Sequence, residues 1–286
     1  MTAPDKPRGR GREVEPTELV LAARELGVEQ IQPADPHADD VLAKLRELAP
    51  DVLVVASYGV ILKSSLIDFA PHGSLNVHAS LLPRWRGASP IQAAIAAGDE
   101  RTGVSIQRIV RALDEGDVLL SKERAIGAEE TSGELLAALA ELGGAAIVEA
   151  LDLLESGAAR FTPQDASRAT YARKLKKERG ALDWTRPANE LVRHVRAMNP
   201  WPGARALDPK GRDLTVLRAR EIAARGEPGA VLEASERFVV ACGENALELV
   251  QLTPAGKRPM SGADYLRGAR VGAGERLTTP PPATHG

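Results

Sequence analysis

The chain has 286 residues with 37 basic and 39 acidic side chains, a net charge of −2. The charge is uneven: residues 17–167 hold 12 basic and 23 acidic side chains (net −11), residues 168–286 hold 21 and 13 (net +8), and residues 1–16 hold four and three (net +1), a split that suggests two domains and a polyanion near the second. At 43% hydrophobic and 27% charged the chain is not disordered overall, its one cysteine excludes an intramolecular disulfide and suits a reducing cytosol, and it shows neither a membrane-length apolar run nor a signal peptide.

Residues 1–16, rich in Pro, Gly and Arg, read as a loop. From Thr17 the apolar spacing of Leu19, Val20, Ala23 and Leu26 predicts a helix that Gly27 ends, and Val41, Leu42, Leu45 and Leu48 predict a second over about 39–49. The run Asp51–Ala56 reads as a buried parallel strand. A short helix over 64–70, a strand over 73–78, a loop over 80–89 and a helix opened by Pro90 follow. Strands are expected over 104–110 and 118–126, with Asp114-Glu115-Gly116-Asp117 as the turn between them. Thr131 and Glu134 form a capping box for a helix reaching about Glu155. Alternation of strands and helices at these lengths argues an open α/β sheet. Residues 157–188 are poor in apolar side chains and carry Arg173-Lys174-Leu175-Lys176-Lys177, so they read as a basic linker. After a short helix over 189–198, close-spaced strands at 204–207, 214–219, 229–234, 238–241 and 247–252 suggest a small β-barrel or sandwich, and 278–286 reads as a disordered tail.

Asn76 and His78 lie two apart on a predicted strand, facing the same way at its C-terminal end, where open α/β sheets place ligands. An amide donor and an imidazole converging there suit oxyanion stabilisation and proton transfer, though a strand-end Asn and His can equally serve loop backbone groups. The loop Ser80–Ser89, with Trp85 between Arg84 and Arg86, could hold a flat ring or an anion, or be an ordinary surface loop. Asp114 lies in a carboxylate-rich turn without the ligand pattern of a calcium loop; returned to the sheet beside His78, it could orient that imidazole. Arg8-Gly9-Arg10-Gly11-Arg12 is either a phosphate-contacting loop or a simple basic tail.

Together these pieces are far more specific. SLNVHASLLPRWRGASPIQ followed by LDEGD, with His78 and Asp114 separated by 114 − 78 = 36 residues, resembles the formyltetrahydrofolate-dependent formyltransferases. PDKPRGRGREVEP, TYARKLKKE, the dipeptide at 183–184 and MNPWPGA are similar to the members that formylate methionyl initiator tRNA. The resemblance implies a Rossmann-like α/β catalytic domain over 1–156, the linker over 157–188 and an OB-like barrel over 189–277 that binds tRNA. It implies 10-formyltetrahydrofolate as donor, no metal, and the methionyl α-amino group as acceptor. It assigns catalysis to Asn76, His78 and Asp114, folate binding to Ser80, Leu81, Leu82 and Pro83, and tRNA contact to Arg8, Arg10 and Arg12. The basic charge extends that expected contact to Lys174, Lys176 and Lys177. A cytoplasmic monomer, apart from membranes, is expected.

The family also opens with a strand, a loop, a helix and a second strand that this sequence lacks, so an upstream start or a fragment is expected, with an apolar gap beside the sheet. Two other functions fit the sequence: formyl transfer to a small amine, such as an amino sugar or nucleotide precursor, and an RNA-binding remnant without catalysis.

Overall fold

The computed structural model describes residues 1–8 and 13–281. In chain order the elements are β1 (Lys6–Arg8), β2 (Glu13–Glu15), α1 (Glu18–Glu25), α2 (Asp39–Leu48), β3 (Leu53–Ala56), α3 (Ser64–Ile67), β4 (Ser74–His78), β5 (Arg86–Gly87), α4 (Pro90–Ala97), β6 (Arg101–Arg108) and β7 (Val118–Ala125). There follow α5 (Ser132–Glu155), β8 (Tyr171–Ala172), α6 (Ala188–Met198), β9 (Ala204–Leu207), β10 (Asp213–Ile222), β11 (Val231–Ala234), β12 (Phe238–Ala241), β13 (Ala246–Pro254), β14 (Met260–Ser261) and α7 (Gly262–Ala269). The chain divides into two compact units: 1–78 with 106–120 and 149–163, and 79–105 with 121–148 and 164–286.

The first unit carries β3 and β4 of a four-stranded sheet of order β3-β4-β6-β7. β3 and β4 pair parallel, Leu53 opposite Ser74 and Ala56 opposite Val77. The apolar stripe of α2, Val41, Leu42 and Leu45, packs with Leu66 of α3 and with Leu53. Thr17 caps α1, its Oγ1 accepting from the Val20 N–H at 3.3 Å. β3 was expected to be buried. It stands at the end of the strand order and its residues alternate half-buried and exposed, with Val54 45% exposed, Leu19 of α1 63% exposed and Leu26, at the C-cap of α1, 77% exposed. The segment expected as a loop at the N-terminus holds a hairpin instead, Lys6 pairing with Glu15 and Arg8 with Glu13; a Pro at position 7 is tolerated in so short a ribbon because the strand has an open side.

The second unit is built on an antiparallel sheet of order β11-β12-β13-β10-β9, with β14 beside β13. This is an antiparallel sheet of the small-barrel kind, and among the described residues β9 and β11 at its ends do not pair directly. The segment 274–278 lies between them: Leu277 N–H donates to Gly229 C=O at 2.8 Å, and Thr278 and Leu207 exchange backbone bonds at 2.9 and 3.0 Å. Thr279 Oγ1 adds a 2.7 Å bond to Leu182 C=O. The expected disordered tail therefore begins later than Thr278; residues 282–286 lie outside the described ones. Leu214, Val216, Leu247, Leu249 and Leu252 fill one face of the sheet, covered by Leu191 and Val195 of α6, all at most 1% exposed. α7, absent from the sequence expectation, stacks Tyr265 on Phe238 with ring centroids 5.9 Å apart.

The N-terminus of α5 is fixed twice. Within the helix, Thr131 N–H and hydroxyl donate to Glu134 Oε2 at 2.8 and 2.7 Å, the reach-back half of the predicted capping box. Outside it, Ser132 Oγ and Gly133 N–H both donate to Asn199 C=O, at 2.7 and 3.1 Å, while Asn199 Nδ2 donates to Leu217 C=O at 2.9 Å. A side chain at Gly133 would meet Pro200 Cδ at 2.7 Å, so the helix start must be bare there.

Candidate active site

β4 is held at its start and ends on two polar side chains. Ser74 Oγ donates to Leu66 C=O at 2.9 Å, and Ile109 N–H donates to Ser74 C=O at 2.8 Å. Strand alternation then puts Asn76 and His78 on one face. Asn76 is half-buried and His78 only 6% exposed.

The turn after β6 brings the third residue. Asp114 adopts the left-handed conformation at φ 55°, and its side chain is 11% exposed. One carboxylate oxygen, Oδ1, accepts from Gln107 Nε2 at 2.9 Å and lies 3.7 Å from His78 Nδ1. That separation is longer than a hydrogen bond, yet catalytic contacts often tighten only when substrate binds. Gly116 makes the approach possible: a Cβ there would lie 1.7 Å from Arg108 C=O, and Arg108 N–H donates to Asp117 C=O at 2.9 Å. Sequence reasoning missed Gln107. Its signal was a polar side chain at the end of a strand whose six central residues are all buried.

The Ser80–Pro83 segment belongs to the second unit and is rigid for its own reasons. Ser105 Oγ donates to Ser80 C=O at 2.8 Å and accepts from Leu82 N–H at 3.1 Å. Ser80 Oγ donates to Arg84 C=O at 2.6 Å. Backbone groups are thus satisfied within the protein, and Leu81, Leu82 and Pro83 are left half-buried. Such a segment offers a flat ligand an apolar surface. The following loop is equally tied. Asp99 takes Arg84 Nε and Nη2 at 2.8 and 2.6 Å and Trp85 Nε1 at 2.7 Å, and Arg84 covers the Trp85 ring at 4.4 Å. Arg84 and Trp85, read as able to hold a ring or an anion or else as part of an ordinary surface loop, are therefore engaged with Asp99. Arg86, 3% exposed, donates to Gln164 Oε1 at 3.1 Å. Gly87, at φ 109°, lies so close to Ala172 that a Cβ would meet its carbonyl at 2.5 Å.

Of the expected tRNA contacts, Arg8 lies in β1, and Arg10 and Arg12 lie outside the described residues. Lys174, Lys176 and Lys177 are exposed, and among the described residues neither they nor Arg173 and Arg179 form an ion pair.

Residues 1–151 match the family model described as formyl transferase, and residues 174–270 match that of the formyl transferase C-terminal domain. A methionyl-tRNA formyltransferase of Aromatoleum aromaticum is 44% identical over 97% of this chain and 88% of its own length. One from Anaeromyxobacter dehalogenans is 47% identical over 93% and 87%. The chain belongs to the methionyl-tRNA formyltransferase family. Solved structures share the family's fold at lower identity. HypX from Aquifex aeolicus, crystallised with tetrahydrofolic acid, superposes with a TM-score of 0.61 at 21% identity, over 79% of this chain and 40% of HypX. An N-formyltransferase from Helicobacter canadensis, in complex with folinic acid and dTDP-3-aminofucose, gives 0.61 at 14% identity over 81% and 82%.

Proposed function

We infer that this chain transfers the formyl group of 10-formyltetrahydrofolate to the α-amino group of methionyl initiator tRNA, for translation initiation. The observation that carries the chemistry is the His78–Asp114 pair, 3.7 Å apart, with Asn76 on the same strand face. The acceptor follows from relatives of that name at 44–47% identity across more than nine-tenths of the chain. Asn76 Nδ2 donates to the formyl oxygen, where negative charge develops as the amine attacks, and the imidazolium form of His78 is the second donor. Asp114, aimed by Gln107, positions His78 and takes the proton lost by the amine, directly or through one water; the tetrahedral intermediate then collapses by breaking the bond from the formyl carbon to N10 of the folate, and that nitrogen takes up the proton as tetrahydrofolate leaves. Ser80, Leu81, Leu82 and Pro83 hold the folate, which brings the formyl carbon. Arg8, Arg10 and Arg12, with Lys174, Lys176 and Lys177, contact tRNA phosphates.

Residues 1–156 form the catalytic domain, 157–188 the basic linker and 189–277 the tRNA-binding domain in this reading. The enzyme works as a cytoplasmic monomer apart from membranes; among the described residues no helix is long and apolar enough to cross one.

The test offers the full chain formyl-labelled 10-formyltetrahydrofolate with methionyl initiator tRNA or with a nucleotide-linked amino sugar. Label on the tRNA is expected. Label on the sugar alone transfers the assignment to small amines, and label on neither refutes enzymatic formylation by this chain.

A further inference from the structure

The basic strip 173–179 is flanked by two aromatic side chains that the fold leaves outside. Tyr171 is 62% exposed and Trp201 is 54% exposed, and neither makes a hydrogen bond through its polar atom among the described residues. The other two tryptophans are used internally: Trp184 is 4% exposed, and Trp85 Nε1 donates to Asp99. Both exposed rings stand on fixed backbone. Tyr171 is held by β8, whose pairing sets it opposite Arg86 of β5. Trp201 lies in a corner pinned on either side, by Asn199 C=O accepting from Ser132 and Gly133 and by Gly203 N–H donating to Met198 C=O at 2.8 Å.

The strip and the corner touch. Gly180, directly after Arg179, approaches so near that a Cβ there would lie 2.1 Å from Gly203 C=O and 3.3 Å from Pro202 Cγ. One end of the run of cations therefore abuts the corner that presents Trp201, and Tyr171 stands two residues before its other end. Arg173, Lys174, Lys176, Lys177 and Arg179 are exposed and, among the described residues, without an ion pair. Cations in a row follow a phosphate backbone whatever its strandedness, but an exposed ring gains little from a duplex, whose bases are stacked on one another. Aromatic faces beside a basic track suit unpaired bases.

We propose that Tyr171 and Trp201 are stacking platforms for unpaired bases, so that the strip binds the single-stranded 3′ end of the tRNA. The inference rests on the assignment of tRNA as substrate. The test measures binding of uncharged initiator tRNA, intact or trimmed of its unpaired 3′ nucleotides, to the full chain and to Trp201→Ala, Tyr171→Ala and Trp201→Phe. Each alanine variant is expected to lose about 5- to 150-fold in affinity for intact tRNA, the span usual for one stacked base, and to bind trimmed tRNA as the wild type does. Trp201→Phe keeps most of the affinity but loses the quenching of indole emission that intact tRNA causes in the wild type. Unchanged affinity in both alanine variants overturns the proposal, as does an equal loss for intact and trimmed tRNA, which is how a disturbed fold or a duplex contact behaves. A wild type that binds neither tRNA overturns the substrate assignment and this inference together.

Discussion

Gln107 shows how little of a site one side chain announces. It is 2% exposed on β6 and spends its amide on Asp114 Oδ1, leaving that carboxylate facing His78. The strand spacing of Asn76 and His78 and the turn carrying Asp114 were legible in the sequence; Gln107 was not, since its partner is set by the turn rather than by spacing along its strand. Removing one oxyanion donor costs roughly 100- to 1000-fold in rate. Asn76→Ala and His78→Ala should each lower turnover by that order with tRNA affinity unchanged, and near-normal turnover in both would refute their roles. A half-buried residue outside the site governs a different property. His194 on α6 has Nε2 without a partner, and burial pushes its pKa down to about 4. The folded protein therefore prefers the neutral ring, while the unfolded chain takes a proton near pH 6.5. Stability should be full above that value, fall as pH drops toward 4 and level off below, by about 3 kcal/mol in all. Urea midpoints between pH 7.5 and 4.5 should slope less in His194→Gln; an unchanged slope refutes the assignment.

At the scale of elements, capping chemistry and glycine decide most boundaries. The Thr131–Glu134 box was readable and opens α5 where expected. The same logic over Ser261 and Asp264 opens α7, with Ser261 Oγ accepting from Asp264 N–H at 3.0 Å, but Gly262 and Gly268 hide that helix from any propensity argument. β5 and β8 were out of reach for another reason: two residues have no periodicity. The bonds from Thr131, with help from Arg218, hold the Glu134 carboxyl near a pKa of about 2. A depressed carboxylate contributes stability above its unfolded value, near 4.3, and loses it as pH falls toward 2. Because this side chain is half exposed, Glu134→Ala should cost no more than about 1 kcal/mol at pH 7, and the deficit should shrink as pH falls below the unfolded value and vanish only at about pH 2. Gly116→Ala acts on the site through an element. A methyl group 1.7 Å from Arg108 C=O must displace the turn and Asp114 with it, so turnover should fall while circular dichroism stays unchanged. Wild-type turnover in that variant would show the turn to be dispensable.

For the whole molecule, the near-zero net charge conceals two opposite halves, and the basic half should govern how binding answers to salt. Replacing Lys174, Lys176 and Lys177 together by alanine should flatten the plot of log affinity against log salt by about one for each phosphate no longer neutralised, and an unchanged slope would exclude the strip from tRNA binding. The end position of β3 has a consequence of its own. Among the described residues no strand pairs with its outer side, and that side, with Val54 45% exposed, is a template for pairing with another chain. Val54→Lys should therefore raise the concentration at which light scattering sets in, and a variant that scatters like the wild type would show the edge to be inert. The order of strands at this edge depends on pairings far apart in sequence, so the pattern of Leu53–Ala56 alone read as buried.

The joint at Asn199 answers to salt quite differently. Its bonds join a backbone carbonyl to a hydroxyl and an N–H, and a side-chain amide to another carbonyl; none of these groups carries charge or titrates in ordinary buffers. Brine strong enough to strip a nucleic acid from Lys174, Lys176 and Lys177 leaves this fastening untouched. Host RNA can accordingly be washed off during purification, and the helix start remains seated on its corner when the salt is dialysed away.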